Sequence, residues 1–192
     1  MQSETAFLIP GLIGFLASMA TCVLIIITLH WHQAFTSDSQ HKVQGIHRDV
    51  VPRVGGIAVI VGFLISLWWG KDLKNSLVWA LFLSSLPVFL AGFLEDIGIG
   101  SSPMMRLFAA FLSAFLAIWM TNIWLSRIGV PVFDQAMAWI PFGVFCTVLA
   151  ASTMSHAYNL SDGLNGLSSG LGLISILGIF KFSQNAGDSE LM

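Results

Sequence analysis

His156-Ala157-Tyr158-Asn159-Leu160-Ser161-Asp162-Gly163-Leu164-Asn165-Gly166 separates two long apolar runs, 141–158 and 164–182. Polar side chains at the mouth of an apolar helix are costly to place and seldom accidental. Asn159, Asp162 and Asn165 recur every three residues, so one helical turn would set them on one face. Gly163 and Gly166 would then loosen that turn. The stretch reads as a hinge of hard oxygen atoms between two membrane-crossing helices.

The rest of the chain has the same character. Its 192 residues are 56% hydrophobic and only 9% charged, with a mean hydropathy of +0.83. Soluble domains carry roughly a quarter charged residues, so the composition excludes that class. Six apolar runs, at 7–29, 55–70, 77–94, 107–125, 141–158 and 164–182, are near the roughly 20 residues that cross a hydrocarbon core as helix. Barrel strands would be about half as long and would alternate. The expected fold is therefore all-α: a polytopic helical membrane protein in one transmembrane domain, 1–192, embedded among membrane lipids. The first run is too long for the core of a signal peptide and is read as a retained helix. Cys22 and Cys146 both lie inside apolar runs and read as packing residues. No basic patch invites nucleic acid.

Six spans impose a parity. The loop 31–54, the loop 95–106 and the Asn159 cluster fall on one side of the membrane; both termini and the other loops fall on the other. The segments richest in reactive side chains thus share a face. Basic residues do not orient it: Lys42, Arg48, Arg53 and Arg106 stand on that face, and Lys71, Lys74, Arg127 and Lys181 on the other. The positive-inside rule is silent on such a tie.

Glu95-Asp96 closes the third run, which Pro87 interrupts and is expected to kink. Acids at a helix C-terminus face the negative end of the macrodipole, and neighbouring acids repel. A cation would relieve both. Magnesium is commonly held by one or two carboxylates together with substrate phosphates. Glu95, Asp96 and Asp162, with the Asn159 carbonyl, suit that ion better than zinc, which prefers His and Cys. The plainer alternative is a pair of solvated charges that stop the helix. His47, Arg48 and Arg53 precede Gly55-Gly56 at the start of the second run. They can hold phosphate oxygens, Arg bidentately, and the glycines would let a ligand approach the backbone; membrane-surface anchoring is the alternative. Arg106 suits phosphate binding or snorkelling to headgroups equally. His156, alone near a helix end, reads first as a packing residue.

The order His47…Pro52-Arg53-x-Gly55-Gly56, Gly92-Phe93-Leu94-Glu95-Asp96, Arg106 and Asn159-x-x-Asp162-Gly163-Leu164-Asn165-Gly166 resembles the polyprenyl-phosphate N-acetylhexosamine-1-phosphate transferases, glycosyltransferase family 4. The phospho-MurNAc-pentapeptide transferase of peptidoglycan synthesis is a relative in that family. The resemblance implies attack of a polyprenyl (undecaprenyl) phosphate on the β-phosphorus of a UDP-N-acetylhexosamine, releasing UMP, with Mg²⁺ as cofactor. This would be the first membrane step of a cell-envelope polysaccharide such as O-antigen. It also implies a bacterial inner membrane with the polar face cytoplasmic. By match, Asn159 falls on a metal position. Asp162 and Asn165 fall where the uridine nucleotide is held, Asp96 with Glu95 at a carboxylate pair assisting the lipid nucleophile, and His47 and Arg53 in the first cytoplasmic motif. Arg106 joins the substrate-binding set. Glu95 in place of Asp, and Asn165 in place of the Asp of the peptidoglycan branch, lean towards the O-antigen type. Members of the family have more helices, so the resemblance implies that 1–192 corresponds to an N-terminal part, with a further metal-binding Asp downstream and little activity alone. A homodimer is allowed for. A transporter and a non-catalytic scaffold are the competing readings; a transporter would place ionisable groups at mid-helix, whereas here they border the spans.

Overall fold

The computed structural model describes residues 2–31, 52–70, 75–99, 102–161 and 166–186. Seven helices lie wholly within them: α1 (Gln2–Ile27), α2 (Gly56–Gly70), α3 (Ser76–Asp96), α4 (Pro103–Thr121), α5 (Pro131–Met137), α6 (Ile140–Ser161) and α7 (Leu167–Ala186). Five of them, α1, α3, α4, α6 and α7, are long and apolar enough to cross a membrane. The protein is thus an all-helical, polytopic membrane protein. At 15 residues and 1.5 Å per residue, α2 is about 22 Å long and falls short of a hydrocarbon core of roughly 30 Å. Large apolar side chains cover the outer faces, from Leu12 and Phe15 on α1 to Ile176 and Phe182 on α7. Lipid as solvent makes that exposure cheap, and the buried seams are instead lined by small residues: Ala58, Ala80, Ala91, Ala109, Ala110, Ala114, Ser84, Ser113 and Ser152. Small residues let helix backbones approach where no hydrophobic drive pulls them together.

Helices α1 and α2 show the closest approach. A Cβ on Gly14 would lie 2.7 Å from the Gly62 carbonyl oxygen and 2.8 Å from Ser66 Cβ. A Cβ on Gly62 would lie 2.7 Å from the Gly14 carbonyl oxygen and 2.8 Å from Ser18 Cβ. Each helix thus offers a Gly-x-x-x-Ser step to the other, and neither glycine can be larger. Helix α2 meets α3 through rings: Phe63 stacks on Phe82 at 5.6 Å between centroids, and a Cβ on Gly56 would sit 3.2 Å from Phe89. Gly56 therefore makes room for Phe89, and the expected opening of that backbone towards a ligand gives way to ring packing; Gly55 has open space around it.

Pro87 lies inside α3. A proline ring displaces the carbonyl one turn back and loosens the next backbone bond as well. The Val88 N–H, next to the proline, donates to Ser113 Oγ of α4 at 3.0 Å. This is how membrane proteins tolerate such prolines, since a freed donor finds no water in the hydrocarbon.

Residues 126–140, expected as loop, contain α5. Pro131 starts it, and Asp134 Oδ1 accepts from the Ile128 and Gly129 N–H groups at 2.7 and 3.2 Å. The Leu125 N–H donates to Thr147 Oγ1 at 2.9 Å, and that hydroxyl donates to the Gly143 carbonyl at 2.7 Å. Gly143 is hemmed in by the Met137 and Leu125 carbonyls and by Trp124. The segment is strapped to the start of α6, at the end of the bundle away from Glu95-Asp96.

Candidate functional site

Helix α3 ends in a glycine-dependent stop. Gly98 has φ +80°, its N–H donates to the Glu95 carbonyl at 3.0 Å, and the Ile99 N–H donates to the Leu94 carbonyl at 3.0 Å. This is the Schellman arrangement, which occupies otherwise orphaned carbonyls. The carboxylates of Glu95 and Asp96 emerge from the last turn. The next described segment starts with Ser102, the N-cap of α4, whose Oγ accepts from the Met105 N–H at 3.2 Å, and Pro103 stands in the first turn. That start sets Arg106 one turn into α4.

Arg106 Nη1 donates to Glu95 Oε2 at 2.7 Å, with the two side chains 26% and 27% exposed. Arg53, from the segment leading into α2, places Nε 3.8 Å from Asp96 Oδ1, a looser ion pair at 28% and 30% exposure. Adjacent helical residues point about 100° apart, so the two acids reach separate partners on opposite flanks of α3. The acids expected to call for a metal are thus each faced by an arginine. Arg106 turns its guanidinium to Glu95 rather than outward to lipid headgroups.

The end of α6 lies at this same end of the bundle. Ala110, Ser113 and Ala114 of α4 and Ala151 and Ser155 of α6 line one crevice, with Ser84, Ser85 and Val88 of α3; it holds about 180 Å³. Arg106 stands one turn beyond Ala110, and Asn159 one turn beyond Ser155, so the two helix ends rise together. Asn159 is exposed. His156, between Ser155 and Asn159 in the chain, has Nε2 buried and unpartnered among the described residues, as is Arg106 Nε. Tyr158 ties this end to α7 through a 2.9 Å hydrogen bond with Ser175. His47, Asp162 and Asn165 lie outside the described residues. Arg53 and Asp96, and Arg106 and Glu95, are therefore brought together in pairs, and Asn159 is set at the same end.

Among the described residues no three His, Cys, Asp or Glu side chains gather closely enough to hold a metal. The oxygen donors present suit magnesium in kind, as one or two carboxylates to be completed by a phosphorylated ligand, and do not form a ready-made cage.

The glycosyl transferase family 4 model matches residues 78–192, which takes in nearly all of α3, then α4 to α7 and the polar stretch of sequence after α6. A phospho-N-acetylmuramoyl-pentapeptide-transferase of Desulfovibrio desulfuricans is 30% identical over 170 residues, 77% of this chain and 46% of the relative. A putative UDP-N-acetylglucosamine–dolichyl-phosphate N-acetylglucosaminephosphotransferase of Saccharolobus solfataricus is 30% identical over 179 residues, 89% of this chain and 52% of the relative. A protein of the same description from Sulfolobus acidocaldarius is 26% identical over 99% of this chain and 58% of its own length. No solved structure matches. The chain spans about half the length of these curated relatives. With the family pattern running from within α3 through the paired acids to the end of the sequence, the chain belongs to glycosyl transferase family 4.

Proposed function

We propose that this chain supplies the phosphate-handling face of a sugar-1-phosphate transferase. An oxygen of a polyprenyl phosphate attacks the β-phosphorus of a UDP-N-acetylhexosamine. The bond from that phosphorus to the bridging oxygen breaks, and UMP leaves. The site faces the cytoplasm at a bacterial plasma membrane. Asp96 and Glu95 serve at the nucleophile; His47, Arg53, Arg106, Asp162 and Asn165 hold the substrates; Asn159 contributes to a Mg²⁺ position. Relatives named for muramoyl-pentapeptide and for N-acetylglucosamine transfer support the N-acetylhexosamine class.

The observation that carries the reading is the pair of ion pairs, Arg53–Asp96 and Arg106–Glu95, assembled from three separate segments at one end of the bundle. Those four charges cancel. Two phosphorylated substrates brought there would repel each other, and the paired arginines offer little spare charge to offset it. A divalent cation supplies that charge when bound. The ionisable groups favour an enzyme over a transporter: Glu95 and Asp96 close α3 and Arg106 stands in the first turn of α4, at the ends of their spans rather than at mid-helix.

The test is Mg²⁺-dependent release of UMP from UDP-N-acetylglucosamine and polyprenyl phosphate by membranes carrying the protein. The expected result is release that chelation stops and that Asp96→Asn lowers at least a hundredfold, in the range of groups acting in proton transfer. Release untouched by Asp96→Asn removes Asp96 from the site. Absence of any release, with transport of solute instead, removes the transferase reading.

A further inference from the structure

Arg106 and His156 each bury a nitrogen that no described residue answers: Nε of the arginine and Nε2 of the histidine. They belong to different helices at the same end of the bundle. Ala110, one turn inside Arg106, and Ser155, next to His156, line one crevice. His156 also stands one turn beyond Ser152, which is 2% exposed, so it continues the face of α6 that is turned into the protein. Asn159 follows one turn later.

Buried polar atoms of folded proteins nearly always have partners, and an exception points to a water, an ion or a ligand. The guanidinium fixes which kind. Arg106 Nε–H can only donate, and one N–H of Nη1 is given to Glu95. The missing partner is therefore an acceptor. Imidazole Nε2 can carry a proton and donate in the same sense. Because the neighbouring charges are paired off, what the spot offers is directed N–H groups from two helices rather than loose positive charge. A ligand with acceptor oxygens pointing in several directions suits that offer, and a tetrahedral phosphate is one.

We propose that His156 is a phosphate-binding residue: its Nε2–H and the Arg106 Nε–H together hold one phosphate group at the α4–α6 end of the cluster. The proposal rests on the transferase reading for where that phosphate comes from, a nucleotide or a membrane lipid. His156 acts as a donor and takes no part in bond making.

Equilibrium binding to the protein in nanodiscs of neutral lipid tests it, with UMP in one arm and a prenyl phosphate in the other. Wild type, His156→Leu and His156→Gln are compared. His156→Leu is expected to weaken one of the two ligands about tenfold or more, the scale of a lost hydrogen bond to a charged group. His156→Gln, which restores an N–H near the position of Nε2, is expected to recover most of it. The arm that responds names the source. In the unmutated protein the ¹⁵N resonance of the His156 Nε2 should move when that ligand is added. Equal binding of both ligands by His156→Leu, or an Nε2 resonance indifferent to both, overturns the proposal and leaves the transferase reading standing. Wild type that binds neither ligand overturns both.

Discussion

At the residue scale, the site turns on which arginine meets which acid. Arg106 and Glu95 are about three-quarters buried and in direct hydrogen-bond contact; Arg53 and Asp96 are a little more exposed and farther apart. Pairs near a surface stabilise by about 1 kcal/mol or less, and removing one partner from a partly desolvated pair costs more because the other is left behind. The charge-swapped protein, Glu95→Arg with Arg106→Glu, is therefore expected to recover most of the stability that either single change loses, with a coupling of about 1 kcal/mol in a double-mutant cycle. Thermal unfolding in detergent measures it. UMP release, by contrast, should stay lost in the swap, because a phosphate meets the wrong charge. The acids themselves were legible in the sequence; their partners were not. Sequence shows that two carboxylates at a helix C-terminus need cations. It does not show that register and the 100° turn between neighbours deliver Arg106 to one and Arg53 to the other. Nor did it reveal that Gly56 serves the Phe89 ring, since a glycine beside a motif looks the same whether ligand or ring fills the space.

At the element scale, α3 is a helix whose proline is accommodated by its neighbour. Ser113→Ala leaves the Val88 N–H without its acceptor in a seam where Ser84 and Ser113 are buried. A buried donor left unmet costs about 1–3 kcal/mol. Pro87→Ala restores the missing N–H and lets α3 resume regular bonding, so Ser113→Ala made in that background is expected to be nearly neutral. A melting series on the two single variants and the double variant checks this; additive losses would show that Ser113 stabilises the seam by packing alone. The proline and the span were both plain in the sequence, because lipid demands an uninterrupted apolar length. The serine that meets the freed donor stands 25 residues away and could be matched only in three dimensions. Helix α5 was missed for a related reason: seven residues are too few for a period, and its support is local, from Pro131 and the Asp134 carboxylate on two backbone N–H groups.

At the scale of the molecule, small residues decide what touches what. Gly14 and Gly62 each meet the other's carbonyl, so Gly62→Leu is expected to part α1 from α2 while leaving the α3–α4–α6 group intact. Disulfide trapping reports it: a cysteine pair placed across α1 and α2 should stop forming, and a pair across α3 and α4 should form as in the wild type. Loss of both would mean that the bundle folds only as one body. All-helical membrane architecture was legible from composition and run length. The gathering of reactive segments on one face was expected from six spans; five helices are long enough to cross and α2 is shorter, and what the structure adds is contact of Arg53 and Arg106 with the α3 acids.

The stop at Gly98 presents Glu95 and Asp96 towards different neighbours, one answered from the segment before α2 and the other from α4. During biogenesis the two acids leave the ribosome after Arg53 and before Arg106. Until both flanking hairpins have docked, at least one carboxylate stays unneutralised at the bilayer edge. An incompletely docked chain thus displays raw negative charge at the doublet, and docking of both arginine-bearing segments cancels it.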